Sequence, residues 1–300
     1  MLKGSADRTI GPLYIGVDGG GTGCRARIET ADGRVLGRGS AGPATLRLGT
    51  DRSLDAIETA CRAAVDDAEL PPGSLGEMDA AIGLAGLGRR GALQDLLAWK
   101  HPFRSVKYLG DAMIACLGAH GGRDGGIVIV GTGSIALAVL GDREIRIGGY
   151  GFPISDEASG ADLGLNALRV ALQAYDGRRT ATAFTRDVLS RFGHDPVDVV
   201  AWADHASATD YATLAPLVIK HATAGDVEAL KIVGAAAEQI GAMVRCLIAK
   251  GAPRVALLGG LAPAMEPWLP PGVQRHLVAA EGDALDGAVR VARAHQLASG

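Results

Sequence analysis

Asp18-Gly19-Gly20-Gly21-Thr22 decides the reading of this chain. It follows Leu13-Tyr14-Ile15-Gly16-Val17, an apolar run that suits a buried strand. A carboxylate, three glycines and a hydroxyl at a strand end are suited to a metal-bound phosphate. Gly20 and Gly21 let backbone N–H groups approach phosphate oxygens with no Cβ in the way. Thr22 adds a side-chain donor. Asp18 carries the wrong charge to face phosphate oxygens, so its expected task is to hold Mg²⁺, directly or through water. A plain Gly-Gly hairpin turn is the competing reading.

A second loop of the same kind lies in the other half of the chain. Gly126-Ile127-Val128-Ile129-Val130 ends in Gly131-Thr132-Gly133-Ser134, and a β-like run follows through Leu140. Two strand–loop–strand phosphate sites in separate halves predict a nucleotide held in a cleft between two domains. The P-loop pattern G-x-x-x-x-G-K-[ST] is absent. Gly131, Gly133 and Ala136 fit the loose dinucleotide pattern. That pattern needs a helix directly after the loop, whereas 135–140 and 145–147 read as a β-hairpin around Gly141-Asp142.

The 300 residues suit two domains of ordinary size. The apolar content is 48% but aromatics are only 4%, so the cores must be aliphatic. With a net charge of −3 and no basic stripe, nucleic acid is not an expected partner. Residues 1–12 lack an apolar signal-peptide core, and no apolar run reads as a membrane span. A cytoplasmic location is therefore expected. The four cysteines are scattered with no C-x-x-C pair, so free core thiols are expected rather than zinc or disulfides. The seven histidines show no metal-ligand spacing.

Along the chain, strands are expected at 13–18, 24–30 and 33–39, with Ala31-Asp32-Gly33 as a turn. Thr50 or Asp51 is expected to cap a helix to about Glu69, which Pro71-Pro72-Gly73 stops. A strand at 79–84, a short helix at 88–99, a strand ending at 109 and a helix from Asp111 follow. The second half restarts with strands at 126–131, 134–140 and 143–148. A helix at 156–175 and helical segments at 180–193 and 195–223 come next. The helix at 226–250 is expected to bury Val227, Leu230, Val233, Ala237, Ile240, Val244 and Leu247 along one face. A strand at 254–258 and a helix at 283–297 close the chain. The plan of three strands and then α/β units occurs twice.

In this order, the motifs resemble the sugar kinase, Hsp70 and actin ATPase superfamily. They are most similar to its branch of N-acetylglucosamine kinases and BadF/BadG-type ATPases. The residues from Asp18 to Thr22 resemble the first phosphate motif, and Gly131-Thr132-Gly133-Ser134 the second. Leu257-Leu258-Gly259-Gly260 resembles the adenosine motif. Gly148-Gly149-Tyr150-Gly151, followed by Ser155-Asp156-Glu157, resembles the amino-sugar loop. The resemblance spans nearly the whole chain. It implies an α/β fold of two ribonuclease-H-like (actin-like ATPase) domains, at 1–113 and 114–282. A helical insert would lie at about 176–224, and a C-terminal helix, 283–300, would pack back on the first domain.

ATP and Mg²⁺ are implied as well, with Gly259 and Gly260 approaching the adenosine. The implied reaction is transfer of the γ-phosphoryl group of ATP to O6 of N-acetylglucosamine, with glucosamine as the alternative acceptor. Asp111 is the implied base. Its residue type and place also suit a helix N-cap. Thr132, Gly149 and Asp156 are implied sugar contacts, a carboxylate being able to accept from two adjacent hydroxyls. Asp156 too could be a cap. Tyr150 stands where related kinases often carry Trp and could stack on a pyranose. In the loop 42–47, Thr45 stands where many relatives carry Asn, which leaves the N-acetyl preference open. Gly83-Leu84-Ala85-Gly86 resembles the loop after the fourth strand. Two readings from other classes remain: a dehydratase-activating ATPase, for which the paired cysteines are missing, and a sugar-sensing regulator. A homodimer is admitted by base rates alone.

Overall fold

The computed structural model describes residues 11–299, and the signal-peptide reading falls mostly outside them. The strands and helices in chain order are β1 (Leu13–Gly19), β2 (Cys24–Thr30), β3 (Val35–Ala41), α1 (Thr50–Asp67), β4 (Asp79–Leu84), α2 (Ala92–Leu97), β5 (Ser105–Gly110), α3 (Asp111–Ala119), β6 (Gly125–Val130), β7 (Ser134–Leu140), β8 (Arg143–Ile147), α4 (Gly160–Tyr175), α5 (Ala183–Ser190), α6 (Pro196–Ala203), α7 (Ala208–Ala212), α8 (Ala215–Thr223), α9 (Val227–Ala249), β9 (Val255–Leu258), α10 (Ala262–Met265), α11 (Pro271–Gln274) and α12 (Ala284–Ser299). Two compact units result: Met1–Arg123 with Glu281–Gly300, and Asp124–Ala280.

The first unit carries a sheet in the order β3-β2-β1-β4-β5. β1 to β3 form an antiparallel meander, and β4 and β5 run parallel to β1. Alternation along β1 splits the packing between the faces. Leu13, Ile15 and Val17 bury against Ile57, Ala60 and Cys61 of α1. Tyr14 packs on the other face with Val289 and Ala292 of α12. The second unit repeats the plan as β8-β7-β6-β9. A fifth strand is reduced to a single parallel bridge between Val255 and Leu277. α4 and α9 flank the core, and α5 to α8 lie between them in sequence. Both units thus have the ribonuclease-H-like plan. β7 follows the second glycine loop directly, as the rejection of a dinucleotide site required.

Several expectations are corrected. A boundary at 113 would cut through α3, which packs against α12, so the first unit extends to Arg123. α1 is not capped by Thr50 or Asp51; Gly49, at φ 101°, is its N-cap residue. Turns occupy 88–91, and left-handed Gly91 delays α2 until Ala92. α4 begins at Gly160 rather than 156, because the Ser159 side chain accepts from the Asp162 N–H. On α9, Val227 and Leu230 are exposed, and Ala229, Ile232 and Ala236 take their place in the buried stripe. α9 also reaches membrane-spanning length with a mean hydropathy of 1.5. Half of that window is buried inside the protein, as befits a core helix. Three of the four cysteines, Cys24, Cys61 and Cys116, are buried, and all four are free thiols.

Candidate functional site

The carboxyl ends of the first unit's parallel strands form one row: Gly19 pairs with Leu84, and Leu84 with Gly110. Open α/β sheets bind ligands at such strand ends. The row places Asp111, the residue after Gly110, two strand spacings, about 10 Å, from the glycine loop. Loops on this edge are tied together by backbone bonds. The Ala85 N–H donates to Gly19 O at 2.9 Å, Ala44 N–H to Gly20 O at 3.1 Å and Leu46 N–H to Ala85 O at 3.0 Å.

These bonds sort the expected contacts. The Gly20 N–H donates to Gly23 O at 2.9 Å, closing the turn, and Gly21 and Thr22 stand exposed at its tip. Gly20 therefore shapes the loop, and its N–H is used within the turn. Thr45 is buried. Its hydroxyl donates to Ala85 O at 3.4 Å and accepts from the Arg47 N–H at 3.4 Å, capping a 3₁₀ turn. That commitment leaves it a supporting residue of the loop rather than a hydroxyl extended toward a sugar. Asp111 is the first residue of α3, and Gly110 is the N-cap, so the cap reading fails on position. The Asp111 carboxylate accepts from the Ala112 N–H at 2.9 Å.

Asp18 does not stand alone. Arg25, directly opposite in the β1–β2 register, donates to its carboxylate at 2.6 Å. The same guanidinium reaches Asp283 at 3.4 Å. Arg25 is half exposed, whereas Asp18 is mostly covered. A single carboxylate beside a glycine turn fits Mg²⁺, which keeps most of its waters and takes one or two protein carboxylates together with phosphates.

In the second unit the glycine loop is welded to α4. The Gly160 N–H donates to Gly131 O at 2.8 Å and the Ala161 N–H to Thr132 O at 3.2 Å. Two of the unpaired donors at that helix start are thus used on the loop itself. The Gly131 N–H closes the turn on Gly133 O at 2.9 Å. Ser134 is buried and donates to Glu157 O at 2.6 Å, so its hydroxyl anchors the following loop rather than a ligand. Gly259, at φ 98°, passes so close to Val130 that a Cβ would lie 2.3 Å from the Val130 carbonyl oxygen. Only glycine allows β9 to end there. Gly260 beside it is exposed.

Asp156 is held against the same loop. A Cβ on Gly133 would sit 2.6 Å from its Oδ2, and its Oδ1 accepts from the Gly151 N–H at 3.3 Å. Asp156 is buried and left-handed at φ 66°. Ala158, also buried, is left-handed at φ 65°. Strained backbone of this kind in a non-glycine residue persists only where its surroundings impose it. Asp156 is not a helix cap, since Ser159 fills that place. Gly149 and Tyr150 lie in the preceding loop, and Tyr150 is 72% exposed.

Residues 15–283 match the BadF/BadG/BcrA/BcrD ATPase family. The chain belongs to this family. It is 37% identical, over 93% of its length, to the glucosamine kinase GspK of Vibrio cholerae, of which it covers 95%. A solved structure from Chromobacterium violaceum, provisionally named an N-acetylglucosamine kinase, superposes with a TM-score of 0.88 at 37% identity. That match covers 94% of this chain and 99% of the other. A ROK family glucokinase from Streptomyces griseus, at 21% identity and a TM-score of 0.57, shares the fold. It matches 94% of this chain and 99% of its own. The two units are those of the actin-like sugar-kinase fold.

Sequence reasoning gave no individual role to three residues that shape these loops. Arg25 could have been found, since the hairpin around 20–23 sets Asp18 opposite it. Glu157 acts through its carbonyl, which no side-chain pattern announces. Arg146 acts on the backbone of 148–149 and stacks on Tyr150.

Proposed function

We propose that this protein is an ATP-dependent amino-sugar kinase that phosphorylates O6 of N-acetylglucosamine or glucosamine. The observation that carries the reading is the carboxyl-end row Gly19–Leu84–Gly110, which lines up the glycine turn after β1, the Ala85-Gly86 turn after β4 and Asp111 after β5. The kinase names of the relatives support the reaction class, and the strained, buried Asp156 beside Gly133 supports a sugar contact.

In this reading Asp111 accepts the proton of the attacking sugar hydroxyl. Gly21, Thr22, Thr132 and Gly133 hold phosphate oxygens, and Gly259 and Gly260 meet the adenosine. Asp156 accepts hydrogen bonds from sugar hydroxyls. Asp18 would hold Mg²⁺, which when bound would supply charge neutralisation at the phosphates. Thr45 enters this reading as support for the loop 42–47, its hydroxyl donating to Ala85 O.

The test is purified protein with ATP, Mg²⁺ and a hexose panel. ADP release is expected with N-acetylglucosamine or glucosamine and not with hexoses that lack nitrogen at C2, such as galactose. No release with any amino sugar would overturn the proposal.

A further inference from the structure

Arg146 engages three consecutive residues of the loop that carries Gly149 and Tyr150. It stands near the end of β8. Its Nε donates to Gly148 O at 3.2 Å, and its Nη2 donates to Gly149 O. The guanidinium carbon lies 5.4 Å from the centroid of the Tyr150 ring. Gly148, Gly149 and Gly151 are all left-handed, at φ 67°, 70° and 105°. A stretch with three such glycines in four positions has much backbone freedom to lose. Its conformation must therefore come from outside contacts, and Arg146 supplies three. A tyrosine 72% exposed, yet with its ring held over a guanidinium, is presented for contact.

We propose that Arg146 is a positioning residue for the sugar acceptor. Its planar fork fixes the carbonyls of Gly148 and Gly149 and holds the Tyr150 ring so that a ring face meets the apolar side of a pyranose. Arg146 acts through the loop and touches no reacting atom. Lysine cannot substitute fully, because one ammonium lacks the two-pronged donor geometry and the flat surface that the guanidinium offers. The inference rests on the amino-sugar kinase reading and specifies which face of the chain governs acceptor affinity in it.

The experiment compares the whole protein with R146A, R146K, Y150A and R146A/Y150A, and with R143A as a control at the exposed start of β8. ADP release is measured against N-acetylglucosamine, glucosamine and ATP in turn. R146A should raise the KM for the sugar about tenfold, as losing one charge-assisted contact does, with kcat and the KM for ATP little changed. R146K should fall between R146A and the unaltered protein. The double variant should be no worse than Y150A by more than about twofold, because coupled residues fail additivity. Calorimetric titration of the sugar without ATP should show the same loss.

Unchanged sugar KM in R146A overturns the inference, as does full additivity with Y150A. A loss shared equally between ATP and sugar, with a lower melting temperature, makes Arg146 merely structural and also overturns it. If R146A does not fold, R146K carries the test by the same criteria. Failure of the unaltered protein to use any amino sugar removes the kinase reading itself, which is distinguishable from all of these results.

Discussion

Asp111 begins α3 without capping it, and that difference makes its role testable. A capping aspartate would cost about 1 kcal/mol to lose. At its actual position the helix draws a dipole contribution of about 0.3–1 kcal/mol, beside the hydrogen bond that the carboxylate accepts from the Ala112 N–H, and Asn keeps an acceptor oxygen there. D111N should therefore keep its fold, with a melting temperature close to that of the unaltered protein. As the general base, however, its loss should lower kcat by about 10²–10⁴-fold and leave the KM for ATP in place. Retention of kcat within about tenfold, below the range for a removed base, would deny Asp111 that role. The residue types at the site were legible in the sequence, but the partners of Thr45, Ser134 and Asp18 were not. The two hydroxyls spend their protons on Ala85 O and Glu157 O, carbonyls 40 and 23 positions away. Nothing local in a sequence marks a carbonyl as an acceptor. Arg25 was more accessible, since strand register alone pairs it with Asp18.

At the scale of elements, the packing of one loop against another turns Gly133 into a probe of Asp156. The carboxylate occupies the space that a Cβ on residue 133 would need, with Oδ2 2.6 Å away. G133A leaves the backbone N–H of the loop intact but must displace Asp156 or strain the turn, costing about 1–3 kcal/mol as overpacking does. The KM for the sugar should rise several-fold more than the KM for ATP, measured by steady-state ADP release. A lower melting temperature with an unaltered sugar KM would remove Asp156 from the acceptor site. The elements themselves were well marked by the sequence where periodicity was strong, as in β1, β2, β4 and β7. Errors gathered where a glycine or serine set the boundary. Gly49 and Gly91 stand at the starts of α1 and α2, and Ser159 postpones α4 beyond a strained turn that reads as helix from composition. The α9 stripe slipped because alanines, not Val227 and Leu230, face the core near its start.

At the scale of the whole molecule, the two units are built from the chain in different ways. The second is continuous, Asp124–Ala280, with its own aliphatic core. The first needs both ends of the chain, because α12 closes the face of its sheet that α1 leaves uncovered. Leu285, Ala288, Val289 and Ala292 are buried there, and a Cβ on Gly16 would lie 2.7 Å from Val289. Charged groups reinforce the attachment. Buried Arg27 pairs with Glu29 at 2.7 Å and with Asp286, and Arg293 pairs with Glu29. Stripping α12 would expose two large aliphatic side chains at about 1.5–3 kcal/mol each. It would also break the partly exposed pairs that join Arg27 to Asp286 and Arg293 to Glu29, leaving the buried Arg27–Glu29 pair within β2. Against a usual domain stability of about 5–15 kcal/mol, a loss of about 3–6 kcal/mol from the two side chains, with the pairs lost beside it, leaves little to hold the sheet. A fragment of residues 124–280 should therefore unfold cooperatively in urea, whereas a fragment of residues 1–123 should show no cooperative transition. Adding a peptide of residues 281–300 to the latter should restore protection of β1 amides from hydrogen exchange. Independent, cooperative folding of residues 1–123 would show that α12 covers the sheet without being required for it.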